Sequence, residues 1–76
     1  MNISEQAHVY SFLNSKGFSL RESTLTTLRL ERQDCEIVVL INQTPISVQI
    51  TTNGETVNYT ATDFHNLMDY LEEKIK

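Results

Sequence analysis

The hydrophobic period of the chain changes twice, from helical to alternating and back to helical. Between Ile3 and Lys16 the apolar residues recur at helical steps. At about 100° per residue, Ile3, Ala7, Val9, Tyr10 and Leu13 share one stripe, with Phe12 at its edge. Asn2 can cap this helix, and Glu5, three residues on, completes the spacing of a capping box. Gly17 suits the left-handed position that follows a helix, which lets Phe18 fold back on Leu13.

From Leu25 to Ala61 apolar and polar side chains alternate, and β-branched residues dominate, as pleated strands require. Asn53-Gly54 is the strongest turn signal, because a two-residue type I′ hairpin needs positive φ at both central positions. It sets Ile50 opposite Val57, Val48 opposite Tyr59 and Ile46 opposite Ala61. A turn at Gln33-Asp34 sets Leu30 opposite Ile37 and Leu28 opposite Val39. A tight turn at Thr44-Pro45 sets Ile41 opposite Val48 and Val39 opposite Ile50. Every pair joins apolar to apolar, and a slip of one residue scatters them, so the three turns support one four-stranded meander. Its borders are then the strands at 25–32 and 55–61.

The last segment is helical again. Thr62 or Asp63 caps it, and Phe64, Leu67, Met68, Leu71 and Ile75 form a narrow apolar stripe. The expected architecture is a single α+β domain over residues 1–76. It is a two-layer sandwich in the order α-β-β-β-β-α, with both helices on one face of an antiparallel four-stranded sheet.

The opposite sheet face is then a Thr, Asn and Gln surface broken by aliphatic residues. Ile37 to Ile41 is an unbroken aliphatic run, so Val38 and Leu40 point away from the helices, with Leu25 nearby. Such a face can be plain solvated sheet, with the methylenes of Arg29 lying over Val38. It can equally be the centre of a contact surface comprising Leu25, Arg29, Val38, Leu40, Gln49 and Thr51. Full burial of each aliphatic side chain is worth roughly 1.5–3 kcal/mol. Three of them reach roughly half or more of the ~8 kcal/mol of a micromolar complex, before the costs of association. A polar rim around an apolar centre is ordinary interface anatomy. The border strands offer a second route to association, by sheet extension.

Charge narrows the partners. The net charge is −4, spread along the chain, and no basic stripe exists to neutralise phosphates, so nucleic acid is not an expected partner. No apolar run approaches the roughly 20 residues of a membrane helix, and the first ten residues lack the basic and apolar regions of a signal peptide. Cytoplasmic residence is expected. With a single cysteine, Cys35, the chain can form no internal disulfide, and stability rests on core packing.

Candidate chemistry is sparse. Cys35 is flanked by Asp34 and Glu36, the wrong electrostatic setting for a nucleophilic thiol. His65 and Asp69 are one helical turn apart, but His8 and Cys35 lie on other elements without metal-ligand spacing. Asp63, Asp69, Glu72 and Glu73 make the second helix acidic, with Lys74 and Lys76 among them. Gly17 and Gly54 are explained by a cap and a turn, leaving no phosphate loop. Neither catalysis nor a cofactor or metal is expected. The sequence reads as a small acidic interaction module, an inhibitor or adaptor acting by docking to a protein partner. An anti-defence factor of a mobile element fits that description. The alternative is a homo-oligomeric assembly protein, a dimer for instance, that associates through its sheet face or an edge strand.

Overall fold

The computed structural model describes all of residues 1–76. Helix α1 spans Ile3–Ser15. Five strands follow, β1 (Ser19–Ser23), β2 (Thr27–Arg32), β3 (Cys35–Leu40), β4 (Ile46–Thr52) and β5 (Glu55–Ala61), and helix α2 spans Phe64–Lys74. The strands form one antiparallel sheet in the order β1-β2-β3-β4-β5. The fold is therefore α+β, but the expected four strands become five and the order becomes α-β-β-β-β-β-α. β1 takes the border position assigned to 25–32.

The ends of α1 follow from its sequence. The Asn2 side chain accepts from the Glu5 amide while the Glu5 carboxylate accepts from the Asn2 amide, closing a capping box. At the other end, the Phe18 amide donates to the Leu13 carbonyl and the Gly17 amide to the Asn14 carbonyl. This is a Schellman motif, with Gly17 at φ +92°. It reverses the chain, buries Phe18 and starts β1 alongside β2. Arg32 fastens the junction: it donates to the Lys16 carbonyl at 2.7 Å, and its guanidinium carbon sits 4.6 Å from the Phe18 ring centre.

β1 carries a bulge between Leu20 and Glu22. The extra residue lets Arg21 and Glu22 both reach charged partners on β2, Glu31 at 3.1 Å and Arg29 at 3.4 Å. All five β1 residues are exposed, so the segment lacks the apolar alternation by which strands are read from sequence.

β2 pairs with β3, and β4 with β5, in the expected registers: Leu28 faces Val39, Leu30 faces Ile37, Val48 faces Tyr59 and Ile50 faces Val57. The β3–β4 register differs by two residues, with Val39 opposite Val48 and Ile37 opposite Ile50. A two-residue hairpin needs positive φ at its first central position, where a β-branched Thr44 is strained. Type I′ also needs it at the second, where proline cannot supply it. The connection is longer, and includes a cis Thr44-Pro45 peptide. A shift of two preserves side-chain parity, so the face assignments survive.

Those faces are distinct in burial. Leu28, Leu30, Cys35, Ile37, Val39, Ile41, Ile46, Val48, Ile50 and Ala61 join Val9, Leu13, Phe18, Leu67, Met68, Leu71 and Ile75 in one buried cluster. Both helices thus bury side chains with the same strand face, and the ring of His8 on α1 meets Phe64 of α2 edge-on at 5.6 Å. Two expectations about this core need correction. On α1, Val9 and Leu13 are buried and Phe12 half-buried, whereas Ile3, Ala7 and Tyr10 face solvent. The apolar sector of that helix is wider than the sheet it covers. On β5, Val57 shares the inward parity but lies on a border strand and remains 56% exposed.

Candidate docking face

The outward positions of the sheet fall into three cross-strand rows. The central row runs Arg29, Val38, Gln49, Asn58; to one side lie Thr27, Leu40, Ser47, Thr60; to the other lie Glu31, Glu36, Thr51, Thr56. Five of the six residues expected at a contact surface therefore lie on one face: Arg29, Val38 and Gln49 in the central row, with Leu40 and Thr51 in the flanking rows. Leu25 lies in the β1–β2 connection beyond the Leu40 row and is 88% exposed. There the Thr24 hydroxyl accepts from the amides of Thr26 and Thr27, which holds the loop in a compact turn.

Val38 and Leu40 are half-buried among the outward side chains of the neighbouring strands. On the β4–β5 side those neighbours are small and polar. Gln49 donates to the Asn58 side-chain oxygen at 3.3 Å, and the Thr51 and Thr56 hydroxyls are 2.9 Å apart. On the β1–β2 side they are charged. The Arg29 guanidinium lies 3.1 Å from Glu36, 3.4 Å from Glu22 and 3.8 Å from Glu31. Hydrogen bonds to Glu36 and then Glu22 push its pKa further up, so the cation is permanent. It also resolves a conflict: Glu31 and Glu36 are directly opposite each other, where like charges repel. Both Arg21 and Arg29 are engaged by carboxylates, so this flank carries more acid than base.

The other candidate groups lie apart. Cys35 opens β3, is buried, and its sulfur accepts from the Thr52 hydroxyl at 3.7 Å. Two open depressions, of about 700 and 460 Å³, flank the β2–β3 and β4–β5 turns and share Arg32, Gln33, Asp34, Cys35 and Asn53. Arg32 is already committed there to Lys16 and Phe18. No group of three His, Cys, Asp or Glu side chains is arranged to hold a metal ion, and every buried side-chain nitrogen or oxygen has a hydrogen-bond partner. No helix is long and apolar enough to cross a membrane.

Sequence reading missed two features. One is the Tyr59–Tyr70 stack, with ring centres 3.9 Å apart and planes 2° from parallel. The other is Asn66, whose side-chain oxygen accepts from the Tyr59 hydroxyl at 3.0 Å and the Thr62 amide at 3.0 Å. The spacing from β5 to the first turn of α2 carries both, but only a known crossing of strand and helix makes them readable. Comparison with protein-family models, curated proteins and solved structures finds no match.

Proposed function

We propose that the chain is a small docking module that binds a protein partner through the outward sheet face, as an inhibitor or adaptor rather than a catalyst. One observation carries the reading: β3, the central strand, is aliphatic on both faces, and Val38 and Leu40 are left only half-buried. The strict alternation of burial along β3 and β4 supports a two-layer arrangement, with both helices on one side and this face free. A single buried thiol fits residence in the reducing cytoplasm.

Magnitudes define what the face can do. Val38 and Leu40 are already half-sheltered, so each gains only roughly 1 kcal/mol more on full burial; exposed Leu25 gains the larger share. These side chains anchor a contact, and the rim of Gln49, Thr51 and Arg29 orients it. A partner surface with an apolar centre and modest positive charge opposite Glu22, Glu31 and Glu36 fits best.

The test is Leu40→Glu. It places a charge in the apolar patch of the face, beside Val38, while leaving the buried cluster untouched. The melting curve is expected to match that of the wild type, and partners co-purified from the source cell with the wild type are expected to be lost. Retention of the full set of partners by a folded Leu40→Glu protein would refute the docking face. A second reading, self-association, is favoured by a different feature, the free edge of β5.

A further inference from the structure

The two borders of the sheet are unlike each other. β1 is five residues long, bulged at Arg21, and carries paired charges, the usual means of discouraging a new strand. β5 is seven residues long and regular along its whole length. It contains no lysine, proline or bulge, and its one charge, Glu55, lies at the end. One border is protected and the other is open.

The hairpin fixes which groups the open border presents. Asn53-Gly54 is a two-residue turn with positive φ at both positions, so Thr52 and Glu55 form its closing hydrogen-bonded pair. Counting in twos, Glu55, Val57, Tyr59 and Ala61 direct their backbone groups to β4. Thr56, Asn58 and Thr60 direct theirs outward, each with a free N–H and C=O.

We infer that this edge pairs with the same edge of a second copy, antiparallel and centred on Asn58. The sequence Glu55–Ala61 is self-complementary about that residue. Asn58 meets Asn58 of the second copy, and Thr56 meets Thr60, giving about six backbone hydrogen bonds. On the helix-bearing side, exposed Val57 meets Tyr59 of the second copy, an aromatic–β-branched pair of the kind that stabilises sheets. Glu55 falls opposite Ala61, so no like charges are apposed within the strand pair. Any register shifted by two brings outward-facing groups together but breaks the Val57–Tyr59 match. The product is one continuous sheet with five strands from each copy. Both docking faces lie on the same side of it, so the dimer extends the reading above without resting on it.

Sedimentation velocity on the whole chain tests the inference, with samples up to roughly 0.5 mM because small interfaces associate weakly. A concentration-dependent dimer is expected. Asn58→Pro removes the central outward N–H without touching the β4 ladder, and is expected to yield a monomer. Val57→Lys, at an exposed position, gives the same readout should the proline variant fail to fold. In a mixed-label sample, an intermolecular nuclear Overhauser effect between the α-protons of Val57 and Tyr59 is expected, since these form a non-hydrogen-bonded pair across the new contact, where α-carbons approach most closely, and are far apart within one copy. A wild type that stays monomeric, or a dimer that survives both substitutions, overturns the inference. A dimer lost on Leu40→Glu but not on Val57→Lys also overturns it, and places self-association on the sheet face.

Discussion

Replacing Asn66 with alanine isolates the joint between β5 and α2. Asn66 occupies the first turn of α2, where its amide donates to the capping Asp63 carboxylate at 2.9 Å. Its side-chain oxygen reaches back to the Thr62 amide and across to the Tyr59 hydroxyl. Alanine removes these two bonds, each worth about 0.5–1.5 kcal/mol net, along with a long 3.5 Å contact from the exposed Thr62 hydroxyl that adds little. Thr62 is exposed and Tyr59 only half-buried, so water partly replaces the lost acceptor and the lower half of that range applies. Alanine also gains roughly half a kcal/mol in helix propensity over asparagine. The expected net loss is about 1 kcal/mol. For a chain of this length the unfolding entropy is about 160 cal/mol/K, which makes that a fall of roughly 6 °C in Tm.

Two companions sharpen the measurement by thermal and urea denaturation. Asn66→Asp keeps the acceptor and adds a negative charge favourable at a helix start, set against the nearby Asp63. It should stay within about half a kcal/mol of the wild type. Tyr59→Phe combined with Asn66→Ala should show a coupling of about 0.5–1 kcal/mol. If aspartate proves as damaging as alanine, or the coupling vanishes, the side chain acts by packing and the hydrogen-bond reasoning is refuted.

Two further outcomes follow from the geometry. Gly17→Ala should cost about 1–2 kcal/mol, because the added carbon would meet Arg32 only at 3.9 Å and the penalty is the left-handed backbone itself. Gly17→Asn should recover much of the loss in the same melting assay. Burial, then Tyr59 and Glu73, raises the Tyr70 phenol above its ordinary 10.0. The neutral form is favoured in the folded state, so this contribution is whole below about pH 10 and is lost as pH rises through the raised folded value. Melting temperatures taken from about pH 8 to about pH 11 should therefore fall less steeply in Tyr70→Phe than in the wild type.

What the sequence discloses depends on how much each segment buries. β3 and β4 alternate between core and rim residue by residue, and the parity of Ile37 through Ile50 is legible without coordinates. Asn53-Gly54 and Gly17 were readable because few residues tolerate positive φ. β1 was not, since a strand exposed on both faces is selected for charge pairing and carries no apolar period. The β3–β4 register was missed because proline marks a turn without fixing its length. Ile3 and Val57 failed for a shared reason: apolar character places a residue on a face, but only the extent of the opposing layer decides whether it is covered. The residues of the proposed contact face were located by parity alone, so their juxtaposition was foreseeable, but the full set of three carboxylates around Arg29 was not, because Glu22 comes from β1.

Each strand of the sheet pairs only with its neighbour along the chain. The search for native pairings is therefore a series of short loop closures rather than encounters between remote segments, and the entropic toll of each is small. Formation of the sheet can start at the Asn53-Gly54 hairpin, whose turn is preset, and spread outward one strand at a time. Under that kinetic order β5 is among the first strands made, and its outer side stands ready for pairing from the moment of nucleation.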